Sequence, residues 1–360
     1  MMNTNIMIIL GTRPEIIKMS PIIRACQEKT SNFSILHTGQ HYSYTMDTIF
    51  FDDLSLPRPK YNLDVGSGLH GEQTGKMLAG IEKVLIKENP SIVLVQGDTN
   101  TVLAGALATA KISIKLGHVE AGLRSFDRTM PEEINRIVAD HISDFLFTPT
   151  LSATKLLLKE GIPKEKIFCT GNTIVDAVYQ NLEIAQLKGD ALKRLKLEPK
   201  KYMLLTTHRQ ENVDVKKNLK DILGGMELIY EKYQLPIIFP IHPRTFKKVQ
   251  EFMLEFPRGT LIIEPLGYLE FLQLEANAKL VLTDSGGLQE ESCVLGVPCV
   301  TLRENTERPE TIDVGSNMLS GCQPERILVA TNRMIKKSKW INPFGSGNAG
   351  REILRIIESI

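Results

Sequence analysis

Between Leu282 and Glu310 the chain reads LTDSGGLQEESCVLGVPCVTLRENTERPE, with polar residues at spacings that suit an anion. The apolar run KLVLT opens through Asp284-Ser285-Gly286-Gly287 into a helical pattern. A helix that starts on small residues leaves backbone N–H groups unpaired, and its dipole adds partial positive charge there. That combination holds a phosphate. Glu290 and Glu291 follow one turn inside the helix, where ribose hydroxyls would lie if the phosphate belonged to a nucleotide. A second run, VPCVTL, leads to Thr306-Glu307-Arg308-Pro309-Glu310 and returns a cation to the same strand ends. The stretch predicts a site for a nucleoside diphosphate.

Acids mark the first half. Asp98 stands in QGDTNT directly after a buried-looking strand, where it suits either a helix cap or an acid/base group. Glu120, in HVEAGLR, follows a strand among small residues and is not needed as a cap. Glu132 and Glu133 open a helix after Pro131, a position that favours acids in any protein. Together with Asp98 and Glu120 they would gather three or four carboxylates at one strand edge. Arg13 and Lys18, in GTRPEIIK, fit a strand-to-helix turn with Thr12 as cap and Pro14 in the first turn; they also fit a pair of cations on a diphosphate. His208, in THRQEN, and His242, in IHPR, each follow a strand and read either as hydrogen-bonded structural residues or as acid/base or phosphate contacts.

Short apolar runs alternating with amphipathic stretches must position these residues. The runs are IMIIL, FSILHT, SIVLVQ, IKLGHV, DFLFT and IFCT, then YMLLTT, PIIFPI, TLIIEPL, KLVLTD and VPCVTL, with helical patterns such as 72–87 and 131–141 between them. This is the pattern of parallel sheets covered by helices. Two similar series flank the Lys-rich stretch 188–201, so two Rossmann-like domains are expected. The first spans 1–172, completed by a C-terminal helix within 346–360; the second spans 173–345. Polar clusters follow nearly every strand, the edge where open α/β sheets bind ligands, so the two edges are expected to face across a cleft.

At 360 residues the chain has room for two cores, and a net charge of +1 gives no basic field for nucleic acid or an anionic membrane. The five Cys are scattered without CxxC or Cys/His spacing, so reduced packing residues, no metal and a cytoplasmic setting are expected. The opening MMNTNIMIILGTRPE has too short an apolar run for a signal peptide, and no segment approaches the ~18 apolar residues of a membrane span. Neither GxGxxG after the first strand nor a Walker A sequence is present.

GTRPEIIK, TGQHY, VQGDTNT, GHVEAGLRS, MPEEINR, TGNTIVDA, THRQEN, TDSGGLQEE and TERPE, in that order, resemble the non-hydrolysing UDP-N-acetylglucosamine 2-epimerases over essentially the whole chain. The resemblance implies a glycosyltransferase-B architecture, usually homodimeric. It implies reversible conversion of UDP-GlcNAc to UDP-ManNAc for surface polysaccharide or glycan precursors, with no cofactor. The chemistry is anti elimination of UDP to 2-acetamidoglucal, then re-addition. By the same resemblance Asp98, Glu120, Glu132 and His208 are catalytic. Arg13, Lys18, Ser285, Gly286 and Gly287 hold the diphosphate, Glu291 the ribose and Arg308 the UDP side, while Phe271 walls the uracil. Gln40, His41, Arg209 and His242 match a second UDP-GlcNAc site through which some members are activated. A glycosyltransferase of the same architecture would not need the acids, a hydrolysing epimerase is commonly fused to a kinase, and an idle sensor would lack one of the acids or His208.

Overall fold

The computed structural model describes residues 4–40 and 44–359. It divides into two compact units, Met1–Gln180 with Phe344–Ile360, and Asn181–Pro343. The first unit holds β1 (Ile6–Leu10), β2 (Phe33–His37), β3 (Tyr61–Asn62), β4 (Ile92–Gln96), β5 (Lys115–Val119), β6 (Phe145–Thr148) and β7 (Ile167–Cys169), in the spatial order β3-β2-β1-β4-β5-β6-β7. The second holds β8 (Met203–Thr206), β9 (Ile237–Pro240), β10 (Thr260–Ile263), β11 (Val281–Thr283), β12 (Cys299–Thr301) and β13 (Asn317–Leu319), in the order β10-β9-β8-β11-β12-β13. Every pairing is parallel. Helices cover both faces, which explains why β1 and β4 are buried at every residue and apolar throughout except for Gln96 at the end of β4.

Each sheet reverses its strand order once, between β1 and β4 in the first unit and between β8 and β11 in the second. At such a switch point the two following loops part and leave a crevice. The four loops that flank these points are GTRPE after β1, GDTN after β4, THRQEN after β8 and DSGG after β11. The richest polar motifs of the chain therefore stand at the two positions the topology opens.

The unit boundary differs from the expected one. It falls at Gln180/Asn181, inside the helix Thr173–Lys188, and not near residue 172. The Gly171-Asn172 break ends the strand pattern, but the helix that follows runs on through the boundary. The C-terminal segment from Phe344 belongs to the first unit. Asp176 accepts hydrogen bonds from the backbone N–H of Ala349 (3.2 Å) and Gly350 (3.0 Å), and so caps the helix Ala349–Glu358. Gly350 lets that helix approach the helix Arg13–Glu28: a Cβ there would lie 2.8 Å from the Pro21 carbonyl carbon.

Candidate active site

Glu120, directly after β5, has a left-handed conformation, φ +69°. A non-glycine residue there costs about 1–3 kcal/mol and persists only where its surroundings impose it. The surroundings are visible: the Glu120 backbone N–H donates to the Phe147 carbonyl (3.0 Å), and its Oε2 accepts from Lys18 Nζ (2.6 Å) and Gln96 Nε2 (2.7 Å). Both side chains of the ion pair are nearly buried, at 10% and 6% exposure. Lys18 thus meets a carboxylate here, a partner the sequence did not indicate.

Asp98 is half-exposed and ion-paired with Arg136, whose other nitrogen lies 2.9 Å from Glu133 Oε2. Asn135 Nδ2 donates to the Asp98 carbonyl (3.0 Å). The helix Pro131–Ile142 is thereby fastened to the loop after β4, which brings its first turn, with Glu132, to that loop. Glu132 itself is exposed, whereas Glu133 is buried and accepts from Ser125 N (2.9 Å), Ser125 Oγ (3.0 Å) and Phe126 N (3.0 Å). Of the two neighbouring acids, Glu133 holds the loop and Glu132 remains open to a ligand. Arg13, half-buried, lies over the Phe50 ring at 5.6 Å.

Two further groups in this unit carried no sequence signal of their role. Glu15 Oε2 accepts from Gly11 N (2.8 Å), Thr12 N (2.7 Å) and Thr12 Oγ1 (3.0 Å), and its Oε1 accepts from Thr99 Oγ1 (2.5 Å). One buried carboxyl therefore ties the loops on both sides of the switch point and occupies N–H groups of the first helix start. Burial outweighs those donors and raises its pKa to about 7. His118, fully buried, faces Asp140 Oδ1 (2.7 Å) through Nδ1 and the Gly97 carbonyl (2.8 Å) through Nε2. Both partners only accept, so the imidazolium satisfies both contacts. Burial opposes that charge, but the charge and hydrogen bond of Asp140 outweigh it and raise the His118 pKa.

In the second unit Ser285 is the N-cap of the helix Gly286–Val294, with its side chain making no cap bond. A Cβ at Gly286 would come no nearer than 3.7 Å to another group, and one at Gly287 no nearer than 3.9 Å. Neither glycine has a left-handed φ. The protein's own packing does not demand glycine at these positions, which leaves bare N–H groups for something else to approach. Behind them, buried Asp284 accepts from Thr207 Oγ1 (2.7 Å), His208 N (3.0 Å), Arg209 N (3.1 Å) and Asn212 Nδ2 (3.1 Å), and lies 3.2 Å from His208 Nδ1. Burial raises its pKa, but His208 and the other donors overcome that, so Asp284 titrates below the ordinary range. The His208 ring stays half-exposed.

Arg308 Nε lies 2.8 Å from buried Glu290 Oε1, and Arg303 forms a fork on Glu307 at 2.8 and 2.9 Å. Glu291, buried, accepts from Tyr268 OH (3.2 Å). Phe271 is half-buried against the core cluster of Leu204, Leu274 and Val281. His242 is the N-cap of the helix Pro243–Glu251, accepting from Arg244 N (3.2 Å); burial, then the charges of His208 and Arg244, lower its pKa. Arg209 lies 3.8 Å from Glu307. Gln40 is buried in the first unit, where its Oε1 accepts from Thr101 Oγ1 (2.9 Å), and His41 lies outside the described residues. Among the described residues no group of His, Cys, Asp and Glu could hold a metal ion, and no helix is long and apolar enough to cross a membrane.

The family model for UDP-N-acetylglucosamine 2-epimerase matches residues 24–358. The UDP-N-acetylglucosamine 2-epimerase of Methanococcus maripaludis is 60% identical over 357 residues, 97% of each chain. The crystal structure of the Methanocaldococcus jannaschii UDP-GlcNAc 2-epimerase in complex with UDP-GlcNAc and UDP matches with a TM-score of 0.90 at 58% identity, covering 99% of this chain and 100% of that one. The UDP-2,3-diacetamido-2,3-dideoxy-D-glucuronate 2-epimerase of Pseudomonas aeruginosa is 39% identical over 99% of each chain. With two parallel-sheet units and similarity from end to end, the chain belongs to the UDP-N-acetylglucosamine 2-epimerase family.

Proposed function

We propose that this chain interconverts UDP-GlcNAc and UDP-ManNAc without a cofactor, supplying a precursor for surface polysaccharide or glycan. The higher identity to UDP-GlcNAc 2-epimerases (60%) than to the diacetamido-glucuronate enzyme (39%) supports that sugar. No carbonyl adjoins C2, so its proton is not acidic enough for direct exchange. Elimination meets the difficulty: the C2–H proton goes to a carboxylate, the C1=C2 bond forms, and the C1–O bond breaks with its electron pair leaving on UDP. Re-addition returns a proton to the opposite face of C2 and UDP to C1.

Asp98, Glu120 and Glu132 serve the proton transfers in this reading. His208, Arg13, Lys18, Ser285 and the N–H groups of Gly286 and Gly287 stabilise charge on the departing diphosphate, as preorganised donors do for any developing anion. Glu291 accepts from the ribose, Arg308 supports the UDP side and Phe271 flanks the base. Gln40, His41, Arg209 and His242 are assigned to an activating second UDP-GlcNAc. The enzyme works as a cytoplasmic homodimer. The observation that carries the reading is Glu120, held in a strained backbone conformation and paired with Lys18 in a buried setting. Turnover of UDP-GlcNAc in deuterated water, followed by NMR, is expected to place deuterium at C2 of both sugars. Free ManNAc as the main product, or epimerisation without deuterium, would overturn it.

A further inference from the structure

Glu291 is backed by a second acid. Glu275, on the helix Tyr268–Asn277, is fully buried, and its Oε1 accepts from Ser292 Oγ at 2.7 Å. Its Oε2 receives no N–H or O–H, and among the described residues no Lys, Arg or His pairs with it. Glu291 adjoins this carboxyl group: Ser292, the next residue in the chain, donates to Glu275, and Tyr268, on the same helix as Glu275, donates to Glu291. Two carboxylates cannot share such a site as anions, and a buried acid with no cation keeps its proton. Burial first, then the negative charge of Glu291, push the Glu275 carboxyl well above the usual range. Tyr268 OH donates to Glu291 Oε1 from the other side.

We propose that Glu275 is the positioning residue for Glu291, a carboxylic acid that donates its O–H to the Glu291 carboxylate and fixes it to recognise a ribose cis-diol. A carboxylate accepts several hydrogen bonds at once. Tyr268 and Glu275 hold the group in one orientation, and a ribose cis-diol would donate to the same acceptor. A neutral donor orients the carboxylate yet leaves its charge, so both bonds to the sugar remain charge-assisted. A cation at this position would instead neutralise the acceptor. This inference rests on the reading of Glu291 as the ribose contact.

The test compares UDP with 2′-deoxy-UDP by calorimetry in the full chain, for wild type, Glu291→Ala, Glu275→Gln and Glu275→Leu. Loss of one hydroxyl bonded to a charged acceptor is expected to weaken binding about 10- to 100-fold in the wild type. Glu275→Gln, an isostere that still donates, is expected to keep that ratio, and Glu275→Leu to bring it near one. A ratio kept in Glu275→Leu, or lost as fully in Glu275→Gln, overturns the inference. If Glu291→Ala leaves the ratio and UDP affinity untouched, the ribose reading itself falls. If Glu275→Leu does not fold, infrared spectroscopy decides. A protonated-carboxyl C=O band at neutral pH should be present in the wild type and reduced in Glu275→Gln, and its absence from the wild type overturns the inference.

Discussion

The two units solve the same problem with carboxyl groups whose pKa values move in opposite directions. In each, one buried carboxyl group spans the loops on either side of the switch point, Glu15 in the first and Asp284 in the second. Glu15 accepts four hydrogen bonds from neutral donors, and burial still raises its pKa to about 7. Asp284 accepts from a similar number of neutral groups but also adjoins the His208 imidazole, and its pKa falls. At Glu15 the neutral donors do not offset burial, whereas at Asp284 the adjoining His208 helps to tip the balance toward the anion. The functional residues follow the same division. The first unit presents acids, with Lys18 and Arg136 bound to Glu120 and Asp98, while the second presents N–H groups, His208 and arginines. Under the proposed function, the first moves the proton and the second contributes most of the contacts to the anion.

The widest separation between the units should come from removing their acids. Asp98→Asn and Glu120→Gln are each expected to lower kcat for epimerisation by 10³-fold or more, near the upper range for a lost acid/base group. UDP affinity, measured by calorimetry, is expected to stay within about threefold if, as proposed, most of the nucleotide contacts come from the other unit. Normal turnover in both variants would break the assignment of chemistry to the first unit, and loss of UDP binding would break the division.

Much of this arrangement is legible in the sequence because each polar loop follows directly on an apolar run, which sets Asp98, Glu120, His208 and Ser285–Gly287 at strand ends. Strands β3 and β13 escaped notice because Tyr61–Asn62 and Asn317–Leu319 are too short to show an apolar pattern. The supporting carboxyls escaped for a different reason. Glu15 reads as an ordinary first-turn acid, and its link to Thr99 spans 84 residues; Asp284 meets Thr207 across 77. The pairing of Lys18 with Glu120 was not legible because the two are 102 residues apart in sequence. Glu132 and Glu133 adjoin in sequence, and only the packing of Ser125 and Phe126 onto Glu133 tells them apart.

Breaking the clasps tests the comparison next. Asp284→Ala leaves Thr207, Asn212 and two backbone N–H groups without their acceptor in a buried site, so it should cost about 3–5 kcal/mol in urea denaturation. Glu15→Gln should behave differently, with pH deciding the outcome. A carboxyl raised from 4.5 to about 7 contributes its stability below pH 4.5 and loses it as pH climbs through 7. A glutamine stays neutral throughout. The variant should therefore match the wild type at low pH and exceed it by up to about 3 kcal/mol above pH 7. A stability difference that does not change with pH would show that Glu15 is ionised like Asp284, and the contrast between the clasps would be lost.

The smallest effect sharpens the claim that the second unit is shaped for an anion and not for itself. Gly286 and Gly287 have room for a methyl group at 3.7 and 3.9 Å and sit in the first turn of a helix. Replacing either by alanine restricts the unfolded chain without creating a clash, so stability should hold or rise by about 0.4–1 kcal/mol. If a phosphate binds at these backbone N–H groups as proposed, the same methyl group would crowd it. UDP binding by calorimetry should then weaken about tenfold, near 1.4 kcal/mol, while thermal unfolding shows no loss. A glycine whose replacement harms only binding is kept for the ligand. If alanine instead lowers stability and leaves UDP affinity unchanged, these glycines serve the fold, and the anion grip must lie elsewhere in the unit.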